Sequence, residues 1–113
     1  MEIKITPKAI NALRKRLRTP IFILALDDGS NQFSTRGGAC SVGDSFQIID
    51  IDEEVENYNI MLENPDFTVY ISKNEKYFLG DNIAIDFNES MSTLILKNSS
   101  GILDSNLLVK EIN

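Results

Sequence analysis

Cys40 is the only thiol in this chain, and it sits in Arg36-Gly37-Gly38-Ala39-Cys40-Ser41-Val42-Gly43. Three glycines and two small residues around it let the backbone turn tightly and leave the sulfur approachable. Backbone amides of such a turn, with Arg36 close in sequence, would favour the thiolate, which is the form that attacks and the form that binds metal. Three chemistries fit these residues: a contact to iron or a cluster, thiol exchange, or a small residue kept in a tight turn. A phosphate cradle fits poorly, because the loop has neither the Gly-Lys-Ser/Thr ending of a P-loop nor the spacing of a dinucleotide turn.

The rest of the composition narrows the field. The chain has no histidine, which removes imidazole as a general base for a serine or cysteine nucleophile and removes the commonest transition-metal ligand. The densest acidic run, Asp50, Asp52, Glu53, Glu54 and Glu56, alternates at a strand end, so its side chains splay to both faces and it reads as a solvated loop. No spacing among the 17 acids selects a pair for acid–base work. The expectation is therefore a protein that is not an enzyme.

Charge is unevenly spread. Residues 1–20 hold six bases (Lys4, Lys8, Arg14, Lys15, Arg16, Arg18) and one acid, within a chain of net charge −6. An acidic body argues against nucleic acid as the main partner, since phosphate affinity needs positive potential. The basic stretch has two uses: docking an acidic partner, or lying against the chain's own acidic body.

The elements that must position Cys40 follow from periodicity. The 113 residues fit one domain, 1–113, with a core that needs no disulfide. No apolar run spans a bilayer and no signal core precedes the first element, which points to the cytoplasm. Glu2 to Ile5 alternates as a short strand. Thr6-Pro7 opens a helix over about 7–18, with Ile10, Leu13 and Leu17 at helical spacing and Thr19-Pro20 ending it. Ile21 to Leu26 is a continuous apolar run and reads as a central strand.

Beyond the cysteine loop, strands are expected at Ser45–Ile51, around Tyr58–Leu62, at Phe67–Ile71, at Ile83–Phe87 and at Met91–Lys97. Ser72 and Glu75 form a capping-box pattern for a second helix over about 73–79, with Tyr77, Phe78 and Leu79 as its apolar contacts and Gly80 as its stop. Leu107 to Ile112 either adds a last strand or stays loosely docked. The sum is a β-rich α+β domain.

In this order the pieces resemble the HesB-like iron–sulfur cluster biosynthesis family, the A-type carriers and their relatives. The resemblance rests on Ile3-Lys4-Ile5-Thr6-Pro7-Lys8-Ala9 with the following helix, on the Gly37-Gly38-Ala39-Cys40-Ser41 loop, on Tyr77-Phe78-Leu79-Gly80 leading to Ile85-Asp86-Phe87, and on Leu94 to Asn98. It is similar above all to the short, cysteine-poor members found in Firmicutes. The resemblance implies a HesB-like domain, a compact twisted β-sandwich of short, mostly antiparallel strands with two helices.

It also implies a place in cluster biosynthesis, with assembly proteins as partners. Typical carriers add a Cys-Gly-Cys near the C-terminus to the first cysteine. The corresponding stretch here, Ser99-Ser100-Gly101-Ile102-Leu103-Asp104-Ser105, has no sulfur. Cys40 is then the one cofactor-binding and metal-binding residue carried over, for iron or a labile iron–sulfur cluster. Iron–sulfur clusters usually take four thiolates, and a symmetric homodimer would supply two. Two functional expectations follow: a degenerate carrier that binds iron or a cluster weakly through one cysteine, or a metal-free module for protein interaction or thiol redox sensing.

Overall fold

The strand Ile21–Leu26 (β2) is buried on both of its faces, and this is why its sequence is a continuous apolar run rather than an alternating one. Phe22, Leu24 and Leu26 enter the main core with Leu13, Ile48, Val69, Ile71, Ile85, Leu94 and Leu96. Ile23 and Ala25 face a second, smaller cluster with Ile49, Ile51 and Tyr58. The computed structural model describes residues 1–27 and 45–111. The expectations for the Cys40 loop, including Arg36, Gly37, Gly38 and Gly43, lie outside the described residues.

Among those residues the order is β1 (Ile3–Ile5), α1 (Pro7–Arg16), β2, β3 (Phe46–Asp50), β4 (Ile60–Leu62), β5 (Thr68–Ile71), α2 (Lys73–Leu79), β6 (Ile83–Asn88), β7 (Thr93–Asn98) and β8 (Gly101–Glu111). The strands form one sheet in the order β1-β6-β7-β8-β3-β2-β5-β4. Four neighbouring pairs are antiparallel, and three are parallel: β1 with β6, β2 with β5, and β3 with β8. The two ends of that order meet through a parallel bridge between Glu2 and Glu63, with Ile3 N–H donating to the Glu63 carbonyl at 3.0 Å. The sheet is thereby curled into a nearly closed barrel, and the α+β class expected from the sequence holds.

Strand β8 ties the two halves together. Its first part pairs with β7, and its last part pairs with β3 from Gln47↔Leu108 to Asp50↔Glu111. The sequence suggested order only from Leu107, yet the strand begins at Gly101. A tight reversal at Ser99-Ser100 explains the extension: Ser100 N–H donates to Asn98 Oδ1 at 2.8 Å, and Gly101 takes a φ of 133° that only glycine adopts freely. Register shifts on either side of the Leu96↔Asp104 pair add residues to β8, which breaks the alternation a sequence reading relies on.

Helix α1 starts as expected. Thr6 Oγ1 accepts from Ala9 N–H at 3.3 Å, and Pro7 takes the first turn, where no amide partner is needed. The helix stops at Arg16, two residues short of the expected end. A competing acceptor is the cause: Arg18 N–H and Nε–H both donate to Asp50 Oδ2 at 3.0 Å, and the Thr19 hydroxyl donates to the Ile51 carbonyl at 2.7 Å. Asp50 is fully buried, so the expectation of a solvated acidic loop fails for this residue. Asp52, Glu53, Glu54 and Glu56 are exposed.

Two further expectations change. Tyr58 belongs to the segment covering the outer face of β2 and β3, and β4 is only Ile60–Leu62. Asn57, at a φ of 74°, breaks the extended run between Glu56 and Tyr58. On α2, Leu79 is buried but Tyr77 is 83% exposed and Phe78 41% exposed. A helix of seven residues presents one narrow face to the core, and Leu79 with Glu75 occupies it.

Asp86 joins helix and sheet. Its carboxylate accepts from Phe87 N–H at 2.8 Å, from Thr6 Oγ1 at 2.9 Å and from Lys97 Nζ at 3.3 Å. These donors, the Phe87 amide foremost, hold its pKa below the usual aspartate value. A depressed native pKa adds stability that is present above the unfolded value of about 3.9 and is lost as pH falls through the native one. Asp86→Asn should therefore lower urea resistance at neutral pH, and the difference from wild type should close as the solution is acidified. A difference that persists unchanged in acid would contradict this. Asp50→Ala should cost about 1–3 kcal/mol in the same assay, because it removes the buried acceptor shared by Arg18 N–H and the half-exposed Arg18 Nε–H; a loss under about 0.5 kcal/mol would contradict the role given to that carboxylate.

Candidate functional site

The chain leaves the barrel at Asp27 and returns at Ser45, so both ends of the segment that contains Cys40 are held at one place. Leu26 and Phe46 are antiparallel neighbours, and Asp27 N–H donates to the Ser45 carbonyl at 2.7 Å. Cys40 itself lies outside the described residues. What the structure defines is the rim from which its segment emerges.

Four parts of the fold build that rim. Helix α2 sends Glu75 underneath the end of β2, where Glu75 Oε2 accepts from Leu26 N–H at 3.0 Å. Glu75 Oε1 accepts from Ser72 N–H at 3.0 Å and from the Ser72 hydroxyl, which closes the capping box. Strand β8 sends Asp104 to the start of β3: Asp104 Oδ2 accepts from Phe46 N–H at 2.9 Å, and Oδ1 from Asn106 N–H at 2.9 Å. Gln47 Nε2 donates to the Leu26 carbonyl at 3.3 Å, and Lys110 Nζ lies 3.8 Å from Asp27 Oδ2. Asp27, Gln47 and Glu75 are all buried.

The carboxylates here serve backbone amides. Each oxygen of Glu75 and of Asp104 already accepts at least one hydrogen bond, and a carboxylate so engaged is a poor candidate for a further cation. Among the described residues no group of three or more His, Cys, Asp or Glu side chains is arranged to hold a metal ion. The stretch where the resemblance expects the second and third cysteines lies within the described residues. Ser99 and Ser100 form the exposed tip of the β7–β8 hairpin, Ile102 is 64% exposed, and Asp104 reaches the re-entry point of the Cys40 segment. The stretch thus reaches Phe46 at the start of β3, while its donors are hydroxyls and an engaged carboxylate.

The other residues that carried the resemblance are positioned by one another. Gly80 ends α2 at a φ of 67°, and an added Cβ would sit 3.2 Å from Asn98 Nδ2. That amide donates to the Leu79 carbonyl at 2.7 Å, and Ser99 N–H donates to the Asp81 carbonyl at 3.0 Å. The glycine after Leu79 and the asparagine ending β7 therefore form one clasp between helix and hairpin. The sequence profile of the family described as iron–sulphur cluster biosynthesis matches residues 1–111. The chain belongs to that family.

Solved structures agree with the iron–sulphur cluster biosynthesis assignment. A Lactobacillus acidophilus protein, named provisionally for Fe–S biosynthesis, superposes with a TM-score of 0.79 at 29% identity, over 96% of this chain and 88% of that one. A Lactobacillus salivarius protein of the same provisional name shares the fold, with a TM-score of 0.73 at 20% identity over 98% of both chains. No curated protein gives a significant match. Among the described residues, no helix is long and apolar enough to cross a membrane.

Glu75, Asp104 and Gln47 escaped the sequence reading as rim residues. The capping box revealed one bond of Glu75, but its second, to Leu26, joins positions 49 apart in the chain, and no local pattern encodes that. If the rim is built as described, Glu75→Ala should cost about 2–3 kcal/mol and Asp104→Ala about 1 kcal/mol. Amide exchange should speed up at Leu26 in the first variant and at Phe46 in the second. Unchanged exchange at those amides would show that the carboxylates do not hold the rim.

Proposed function

We propose that this family member is a non-enzymatic participant in iron–sulfur biogenesis that takes iron or a cluster only in passing, through Cys40 together with thiols from outside its own chain. The observation that supports this most directly is the donor set. The chain has one thiol, its β7–β8 stretch Ser99 to Ser105 offers no sulfur, and the carboxylate there, Asp104, already accepts from Phe46 and Asn106. Clusters are ordinarily held by four thiolates. A resident cluster does not fit this chain.

The cargo reading nonetheless suits a single thiol. A cluster in transit exchanges ligands, and one protein thiolate can hold it briefly while small thiols or a partner's cysteines complete the coordination. Loss of ligands makes such a complex labile, as passage requires. The partners in this reading are iron–sulfur assembly proteins, and a second copy of the chain is a source of one more thiolate.

Anaerobic reconstitution with ferrous iron and sulfide tests this, with and without glutathione, on wild type and Cys40→Ser. Visible colour should form on wild type only when glutathione is present, fail on Cys40→Ser, and disappear on desalting. Colour that survives desalting without glutathione would mean a complete site. Equal colour on both proteins, or none on either, would remove Cys40 from cluster handling.

A further inference from the structure

A groove of about 340 Å³ runs between α1 and the turn that joins β6 to β7, away from the rim of the Cys40 segment. Lys8, Lys15 and Arg16 line it from the helix, and Phe87, Glu89 and Ser92 from the sheet side. Among the described residues, three cations thus face one carboxylate inside a protein whose net charge is −6. Two other bases of residues 1–20 are paired elsewhere. Arg14 pairs with Asp66 at 3.3 Å and Arg18 with Asp50 at 3.0 Å, both outside the groove.

The three groove cations differ in what holds them. Lys8 pairs with Glu89 at 3.1 Å, and both side chains are about two-thirds exposed, so an incoming carboxylate can replace Glu89 at little cost. Arg16 has neutral partners: Nη2 donates to the Ser92 carbonyl at 3.1 Å, and the guanidinium lies 5.6 Å from the Phe87 ring centroid. These contacts fix its plane without cancelling its charge and leave N–H donors on the other edge for a forked bond to a carboxylate. Lys15 is exposed beside it.

From this we infer that the groove between α1 and the β6–β7 turn is a docking site for an acidic segment of a partner protein, with Arg16 as the oriented anchor and Lys8 and Lys15 as its flanks. Charge range favours a short segment over a polyanion. Fields are screened within about 8–10 Å in physiological salt, so a few carboxylates meet the local positive groove, whereas a nucleic acid strand would also run along the acidic body. The site is independent of Cys40, and its failure would leave the cluster-handling proposal standing.

The probe is a fluorescein-labelled tetraglutamate peptide, read by anisotropy and by amide shifts of the ¹⁵N-labelled full chain, with circular dichroism confirming that each variant is folded. Lys15→Glu and Arg14→Glu change net charge equally, but only the first lies in the groove. Lys15→Glu and Arg16→Glu should each weaken the peptide by about tenfold, and Arg14→Glu by less than about twofold. Arg16→Lys should lose part of the affinity while keeping its charge. Shifts should centre on residues 8–16 and 87–92. Equal loss in Lys15→Glu and Arg14→Glu would overturn the proposal, as would shifts centred elsewhere or no binding by wild type. So would equal competition by inorganic phosphate at matched concentration, or tighter binding of a single-stranded oligonucleotide.

Discussion

One buried carboxylate, Glu75, ties helix α2 to the end of β2. It closes the N-terminus of α2 through Ser72 and at the same time takes the last amide of β2 at Leu26. A charge in that position is tolerated because amide and hydroxyl donors replace the water it has lost. In consequence α2 cannot shift without moving the end of β2, and the end of β2 is where the Cys40 segment departs. At the other end of α2 the Gly80–Asn98 clasp binds the helix to the β7–β8 hairpin. That hairpin delivers Asp104 to Phe46, where the same segment returns. Helix, hairpin and segment ends form one closed circuit of polar contacts.

That circuit holds the family framework through contacts that involve no sulfur. The residues that hold the frame are amide acceptors, a glycine at positive φ and an asparagine, and none of them depends on a bound metal. Stability comes from a core shared by both halves of the curled sheet and from buried carboxylates at its seams. Asp50 does at the junction of α1 and β2 what Glu75 does at the rim. It gathers the Arg18 backbone and side chain, whose guanidinium is held above its ordinary pKa chiefly by that hydrogen bond.

Much of this was legible in the residues. The caps of both helices are local patterns, Thr6-Pro7 and Ser72 with Glu75, and both appear where they were read. The unbroken apolar run of β2 announced a strand buried on two sides. Tyr77-Phe78-Leu79-Gly80 and Asn98 marked the family, although the reason for Gly80 and Asn98 emerges only when the helix end is seen against the hairpin. What stayed hidden was long-range. Nothing near Asp50 distinguishes it from the exposed acids that follow, because its donors come from Arg18 and Thr19. The early start of β8 was masked by a register shift, and Asp104 looked like any polar residue of a loop. A sequence displays local hydrogen bonding; it does not display which distant amide a carboxylate will meet.

We propose that this chain does not keep a cluster of its own. Mössbauer spectroscopy on protein isolated anaerobically from cells grown with ⁵⁷Fe, alongside iron and acid-labile sulfide counts per chain, tests it without any reconstitution. The account predicts iron far below one atom per chain and no spectrum of a sulfur-coordinated cluster. A stoichiometric cluster with full thiolate coordination, retained through purification, would contradict it and require ligands that the described fold does not supply.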